Sequence, residues 1–160
     1  MVQNLLSRSV SSVSLALSAL IIAVVFYVSV FGVFSESYLR VGMLLVAGLL
    51  VLLFHISESP KVLDKLVAVV TAGFLGVAVW QYFKAAAEIE TGLYFLTEAD
   101  IWLGWLGLIA VIELTRRSVG MVMASVAAIV LIYGALGQHA PGFMRHAGIT
   151  SEELIQVLWY

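Results

Sequence analysis

The stretch from Val13 to Phe34, VSLALSALIIAVVFYVSVFGVF, contains no charged residue and no histidine. A helix needs roughly 20 residues to cross about 30 Å of hydrocarbon, so this segment is long enough to span a bilayer unaided. It lacks the period-two alternation of a barrel strand, and in lipid a helix is then the way to satisfy every backbone group internally. Arg8 lies ahead of it and Ser35-Glu36-Ser37 behind it. A signal peptide also has a basic residue before an apolar run. However, Ser9 to Phe34 exceeds the usual length of such a core, and no A-x-A cleavage site follows. We therefore expect a retained first span.

Outward from this stretch, the other gaps between charges are Val41 to Ile56, Leu66 to Phe83 and Val119 to Gly137. A further gap, Ile101 to Ile112, is bounded by Asp100 and Glu113 and holds only twelve uncharged residues. It crosses if its polar ends snorkel, over residues 100–115, or if it borrows Leu93 to Thr97; otherwise it is an interfacial or half-crossing helix. The expected fold class is all-α, a polytopic transmembrane helical bundle of about five spans, four long and one short. The spans fall near residues 13–34, 41–56, 66–83, 100–115 and 119–137. Residues 1–137 form the helical domain, residues 138–149 an extracytoplasmic loop, and residues 150–160 the start of another helix.

Composition agrees with this reading. The 160 residues are 62% hydrophobic and only 11% charged, with a mean hydropathy of +1.09, whereas a soluble domain carries about 25% charged residues. A water-soluble monomer is excluded, because one domain of this size cannot hide so much apolar surface. A net charge of −2 with eight scattered Lys and Arg leaves no basic footprint for nucleic acid. The absence of cysteine excludes disulfides, thiolate metal sites and thiol nucleophiles.

The positive residues suggest an orientation. With the amino terminus in the cytoplasm, five spans put Arg8, Lys61, Lys65, Arg116 and Arg117 inside against Arg40, Lys84 and Arg145 outside. Glu88, Glu90, Glu98 and Asp100 then fall in an outer loop running from Lys84 to Asp100. If the short gap does not span, the count becomes four against four and the preference vanishes.

Three groups of residues invite chemistry. Glu113, Arg116 and Arg117 stand at i, i+3 and i, i+4 on one helix, so one carboxylate can reach either guanidinium. That pattern suits an ion relay, but at a span end it suits better a turn that anchors two helices at the headgroups. His55 closes the second span, but His139 and His146 lie beyond the fifth, on the opposite face, so one haem cannot take both ligands from this chain. Pro141-Gly142 between His139 and His146 breaks any two-ligand helical face. No metalloprotease, hydrolase, phosphate-binding or dinucleotide motif occurs, so neither an enzyme nor a cofactor site is expected.

Small residues recur at helical spacing: Ser7, Ser11, Ser14 and Ser18, then Ala68, Ala72 and Gly76, then Ala124 and Ala128. Such faces let membrane helices approach closely. Tyr27, Tyr38, Trp80, Tyr82, Tyr94, Trp102, Trp105 and Tyr133 fall near span ends, as an aromatic belt does. Near the carboxyl end, Thr150 or Ser151 with Glu153 reads as a helix start, followed by Leu154, Ile155, Val157 and Leu158. That helix has no stop signal before Trp159-Tyr160.

The stretch Glu113-Leu-Thr-Arg-Arg-Ser-Val-Gly120, then Tyr133-x3-Gly137-x3-Pro141-Gly142-x3-His146-x-Gly148, resembles the fused membrane component of tripartite ATP-independent periplasmic (TRAP) transporters with TAXI-type binding proteins. The resemblance covers about 40 residues, ending near Glu153. It implies that this chain is the small Q-type portion, a rigid scaffold in a bacterial or archaeal cytoplasmic membrane. Pro141, Gly142, His146 and Gly148 would then form the join loop leading to a large M-type portion. The implied partners are that portion and a periplasmic solute-binding protein, with sodium or proton coupling in the large portion and organic-anion import as the outcome. The small subunit of a tripartite tricarboxylate transporter and a haem-b anchor using His55 are the competing readings.

Reporter fusions at Lys61, Glu90, Arg117 and Tyr160 test the topology. The expected result is cytoplasmic signals at Lys61 and Arg117 and external signals at Glu90 and Tyr160; a cytoplasmic Tyr160 sinks the five-span arrangement.

Overall fold

A computed structural model describes residues 2–32, 35–139, 141–145 and 149–160, with side chains from residue 12 onward except at 144. Its regular elements in these residues are all helices: α1 (Val2–Phe31), α2 (Glu36–Glu58), α3 (Val62–Thr91), α4 (Glu98–Ser118), α5 (Met121–Leu136) and α6 (Ser151–Leu158). Two 3₁₀ turns, Gly137–His139 and Gly142–Met144, lie between α5 and α6.

The helix ends are set by local chemistry more than by charge. Apolar periodicity ends the third span near Phe83, yet α3 continues through Lys84, Glu88 and Glu90, whose long side chains are good helix formers. It stops where Gly92 adopts φ +70° and its N–H caps the carbonyls of Glu88 and Ile89. The loop expected from Lys84 to Asp100 is therefore only the connection between Thr91 and Glu98. For the same reason α2 begins at Glu36, ahead of its uncharged stretch from Val41 to Ile56, with the acid favouring the amino-terminal end of the helix dipole. Between α4 and α5 the chain reverses at Gly120, whose φ of +111° is closed to side chains with a Cβ.

Among the described residues, four segments are long and apolar enough to cross a membrane: Ser12–Phe31, Glu36–Glu58, Val62–Thr91 and Met121–His139. The protein is thus a multi-pass, all-α membrane protein. α4 is not among the four, since its 21 residues include Glu98, Asp100, Glu113, Arg116 and Arg117. It nonetheless occupies the middle of the bundle, packed on α2, α3, α5 and α6. Its two ends meet α3 at Asp64 and at Gln81, so it runs antiparallel beside α3. Those contacts lie about 26 Å apart along α3, close to the depth of the hydrocarbon. The helix starts at Glu98 and does not borrow Leu93 to Thr97.

The core lies where α2, α3 and α4 meet, around Leu52, Leu75, Val79 and Leu114. At Gly48 of α2 an added Cβ would lie 2.7 Å from Leu75 and 2.9 Å from Leu114, so the missing side chain is what lets three helices converge. The small-residue faces are only partly the packing faces. Ala68 and Ala124 are buried, but Gly76 faces open space, and the buried stripe of α3 instead runs Ala68, Thr71, Leu75, Ala78, Val79 and Tyr82. α1 packs on α2, and none of its spanning window is buried; Ile22 (70% exposed) and Phe26 (69%) point outward, as lipid-facing residues do.

Substitution Gly48→Ala is expected to destabilise the bundle by about 1–3 kcal/mol through overpacking, while Gly76→Ala is neutral. Thermal unfolding in detergent checks this contrast; equal behaviour of the two variants removes Gly48 as the convergence point.

Candidate functional site

Two polar nodes sit at opposite ends of α4. At its carboxyl end Glu113 holds both arginines. Arg116 donates from Nε to Oε2 and from Nη2 to Oε1, each at 2.7 Å, and Arg117 Nε donates to Oε1 at 2.7 Å. The Arg117 side chain is 1% exposed, and its Nη2 donates to the Asp64 carbonyl at 3.3 Å. The Asp64 carboxylate in turn accepts from Ser59 Oγ at 3.1 Å. The station expected at Glu113, Arg116 and Arg117 therefore exists as one paired cluster. It ties the end of α4 to the start of α3, and the one carboxylate shared by two guanidiniums explains how they are tolerated there.

The node at the amino end was not anticipated. Asp100, read from the sequence only as the boundary of a span, is 1% exposed. Its Oδ2 accepts from Thr97 N–H at 2.8 Å and Thr97 Oγ1 at 2.6 Å, and its Oδ1 accepts from Gln81 Nε2 at 2.8 Å and Tyr160 Oη at 3.4 Å. Thr97 also caps α4, its hydroxyl accepting from the Asp100 N–H in a reciprocal capping box. This buried carboxylate is compensated by four donors and the positive end of its own helix. Thr97-x-x-Asp100 before an apolar run was a legible capping signal. The reach to Gln81 and Tyr160 was not, since it depends on tertiary placement.

Tyr160 arrives there because α6 folds back onto α4. Gly104 and Gly107 leave room for it: an added Cβ would lie 2.4 Å from Ile155 and 2.5 Å from the Trp159 ring. α6 itself opens as the Thr150–Glu153 pattern implies, with Thr150 N–H donating to Glu153 Oε2 at 2.9 Å. Tyr160 then lies against Tyr82 (5.7 Å, stacked) and Tyr94 (5.6 Å, tilted). Tyr82, 5% exposed, is thus a core residue and not part of an aromatic belt. Trp102 is exposed, at 72%.

The remaining candidates are scattered. His55 is half-buried near the carboxyl end of α2, while His139 is exposed after α5, at the opposite end of the bundle. Pro141 and Gly142 are exposed in the connection before α6. His146 and Gly148 lie outside the described residues. Among the described residues no group of three His, Asp or Glu could hold a metal ion. In chemical terms the arrangement is a helical membrane protein whose polar nodes fasten helices to one another. No family model, curated protein or solved structure matches the chain significantly.

Around Asp100 the phenols are hard to ionise. Burial first, then the hydrogen bond and charge of Asp100, push Tyr94 from 10.0 up to about 12; burial followed by the Asp100 charge raises Tyr160 as well. A folded-state pKa raised in this way gives stability that is fully present below pH 10 and is lost as pH rises through about 12. Alkaline titration at 295 nm is expected to show these two phenols ionising late and together with unfolding. In Asp100→Asn their ionisation moves to lower pH; an unchanged titration in that variant rejects the node.

Proposed function

We propose that this chain is the small scaffold portion of a TRAP-type secondary transporter. Together with a large M-type portion and a periplasmic TAXI-type solute-binding protein, it imports an organic anion at the expense of a sodium or proton gradient. In this reading the amino terminus is cytoplasmic, the Glu113–Arg117 node lies at the cytoplasmic face and the Asp100 node at the outer face of a bacterial or archaeal cytoplasmic membrane.

The observation that supports it most is where the ionisable side chains of α4 go. Glu113 is shared by Arg116 and Arg117, and Arg117 grips α3, while Asp100 is occupied by Gln81, Thr97 and Tyr160. Groups that are consumed in fastening helices suit a rigid body against which another portion moves. A substrate path needs polar groups whose partners can be exchanged for ligand. The resemblance of the motif order from Glu113 to Gly148 supports the choice of family, and the extensive lipid-type surface of α1 and α5 offers area for a partner in the bilayer.

Reconstitution of residues 1–160 alone is expected to give no organic-anion uptake. A tagged large M-type portion supplied in trans is expected to co-purify with the chain and, with the binding protein, to restore ion-driven uptake. Substrate-dependent flux from the isolated chain, or a Soret band on the purified protein, rejects the scaffold reading.

A further inference from the structure

A groove of about 780 Å³ lies between α4, α5 and α6, walled by Val111, Ile112, Ala127, Leu131, Leu154 and their neighbours. It falls within the size range of small-molecule sites, roughly 300–1,000 Å³. Its shape is fixed by how α6 is seated. Ile155 and Trp159 drop into the room left by Gly104 and Gly107, and Leu154 rests against Gly134, where an added Cβ would lie 3.2 Å away. Val157, 82% exposed, and Leu158, 52% exposed, also line the groove.

The contents of this groove must come from lipid and not from water. Its open side carries Val130 at 64% exposure, beside Val126 and Ile129 on the outer face of α5, a segment apolar enough to lie in hydrocarbon. Water held between such walls would find almost none of the two to four polar partners it needs. One lining residue is ionisable, and it is acidic: Glu153, at the amino-terminal end of α6, with the exposed Glu152 next to it. The Thr150 hydrogen bonds keep the Glu153 carboxyl below the usual carboxylate range, so it is charged at neutral pH. An apolar slot with a fixed carboxylate at its mouth complements an amphiphile with a cationic head.

We propose that this groove binds a phospholipid whose headgroup carries an ammonium, with acyl chain between α4, α5 and α6 and the ammonium against Glu153. The site depends only on the chain lying in a bilayer and goes beyond the transporter reading. The bound lipid fills the space beside α6 and completes the packing of that helix on α5.

The full chain is reconstituted in vesicles of equal phosphatidylethanolamine and phosphatidylglycerol, extracted in mild detergent and weighed by native mass spectrometry. One phospholipid per chain is expected, enriched in phosphatidylethanolamine. Glu153→Gln is expected to lower that preference about threefold, the scale of one partly exposed ion pair, while a lipid stays bound. Ala127→Phe and Leu131→Trp fill the groove from two positions and are expected to reduce bound lipid of either headgroup while circular dichroism stays helical. The wild-type headgroup ratio needs no variant at all. Absence of retained phospholipid, equal retention of both lipids by the wild type, or lipid binding unchanged in both filling variants overturns the proposal. A lipid-free mass of two chains does so too, because it assigns the groove to a second copy.

Discussion

The bundle depends on how the charged groups at the two ends of α4 are hydrogen-bonded. A 21-residue helix with five charged side chains is a poor membrane segment in isolation, and a charged group at mid-bilayer costs about 2.5–3.5 kcal/mol even on the gentler scales. Here the charges stand at Asp100 and earlier, and at Glu113 and later, which leaves the apolar middle from Ile101 to Ile112 for helix contacts. Each charged end is then satisfied by α3: Gln81 reaches Asp100, and the Asp64 carbonyl receives Arg117. α3 is therefore both the neighbour that buries α4 and the source of partners that make its burial tolerable. The placement of α2, α5 and α6 follows, since each packs against α4.

This constraint explains the distribution of small residues. A helix surrounded by four others needs faces where backbones come close, and Gly104, Gly107 and Ala110 are buried on α4 while Gly48 approaches it from α2. Between membrane helices no hydrophobic gain is available, because lipid tails are as apolar as leucine; close contact and hydrogen bonds must supply the association. The glycines provide the first at mid-helix. The polar nodes provide the second at the ends, where side chains from α3 and from the segment after α6 converge.

The membrane class was legible because it rests on one-dimensional features: uncharged runs of sufficient length at 13–34, 41–56, 66–83 and 119–137 are visible without any tertiary knowledge. Local capping was legible too, since Thr150 and Glu153 are three residues apart and interact within one turn. Charge was a misleading guide to helix ends. Lys84, Glu88 and Glu90 continue α3 past its apolar part, because a charged side chain ends the hydrocarbon-facing segment without ending the helix. The Glu113 cluster could be drawn from i, i+3 and i, i+4 spacing alone, but the burial of Arg117 by α3 could not. Asp100 was the hardest to see. Its partners lie 19 and 60 residues away, at Gln81 and Tyr160, and only a helix folding back on itself brings them together.

The same fold-back gives the carboxyl-terminal segment a structural part in the bundle. Eight residues make a marginal helix by themselves, and α6 gains its stability from what it covers. Ile155 is fully buried over Gly104, and the Trp159 ring lies over Gly107, although its Nε1 is buried without a hydrogen-bond acceptor among the described residues. An unmet buried donor of this kind costs about 1–3 kcal/mol, so the seat is held by apolar contact and by the tyrosines around Asp100, against an opposing polar term. Because the Tyr160 hydroxyl ends on the carboxylate that also caps α4 and binds Gln81, the start of α4, the depth of α3 and the seat of α6 are set at one point.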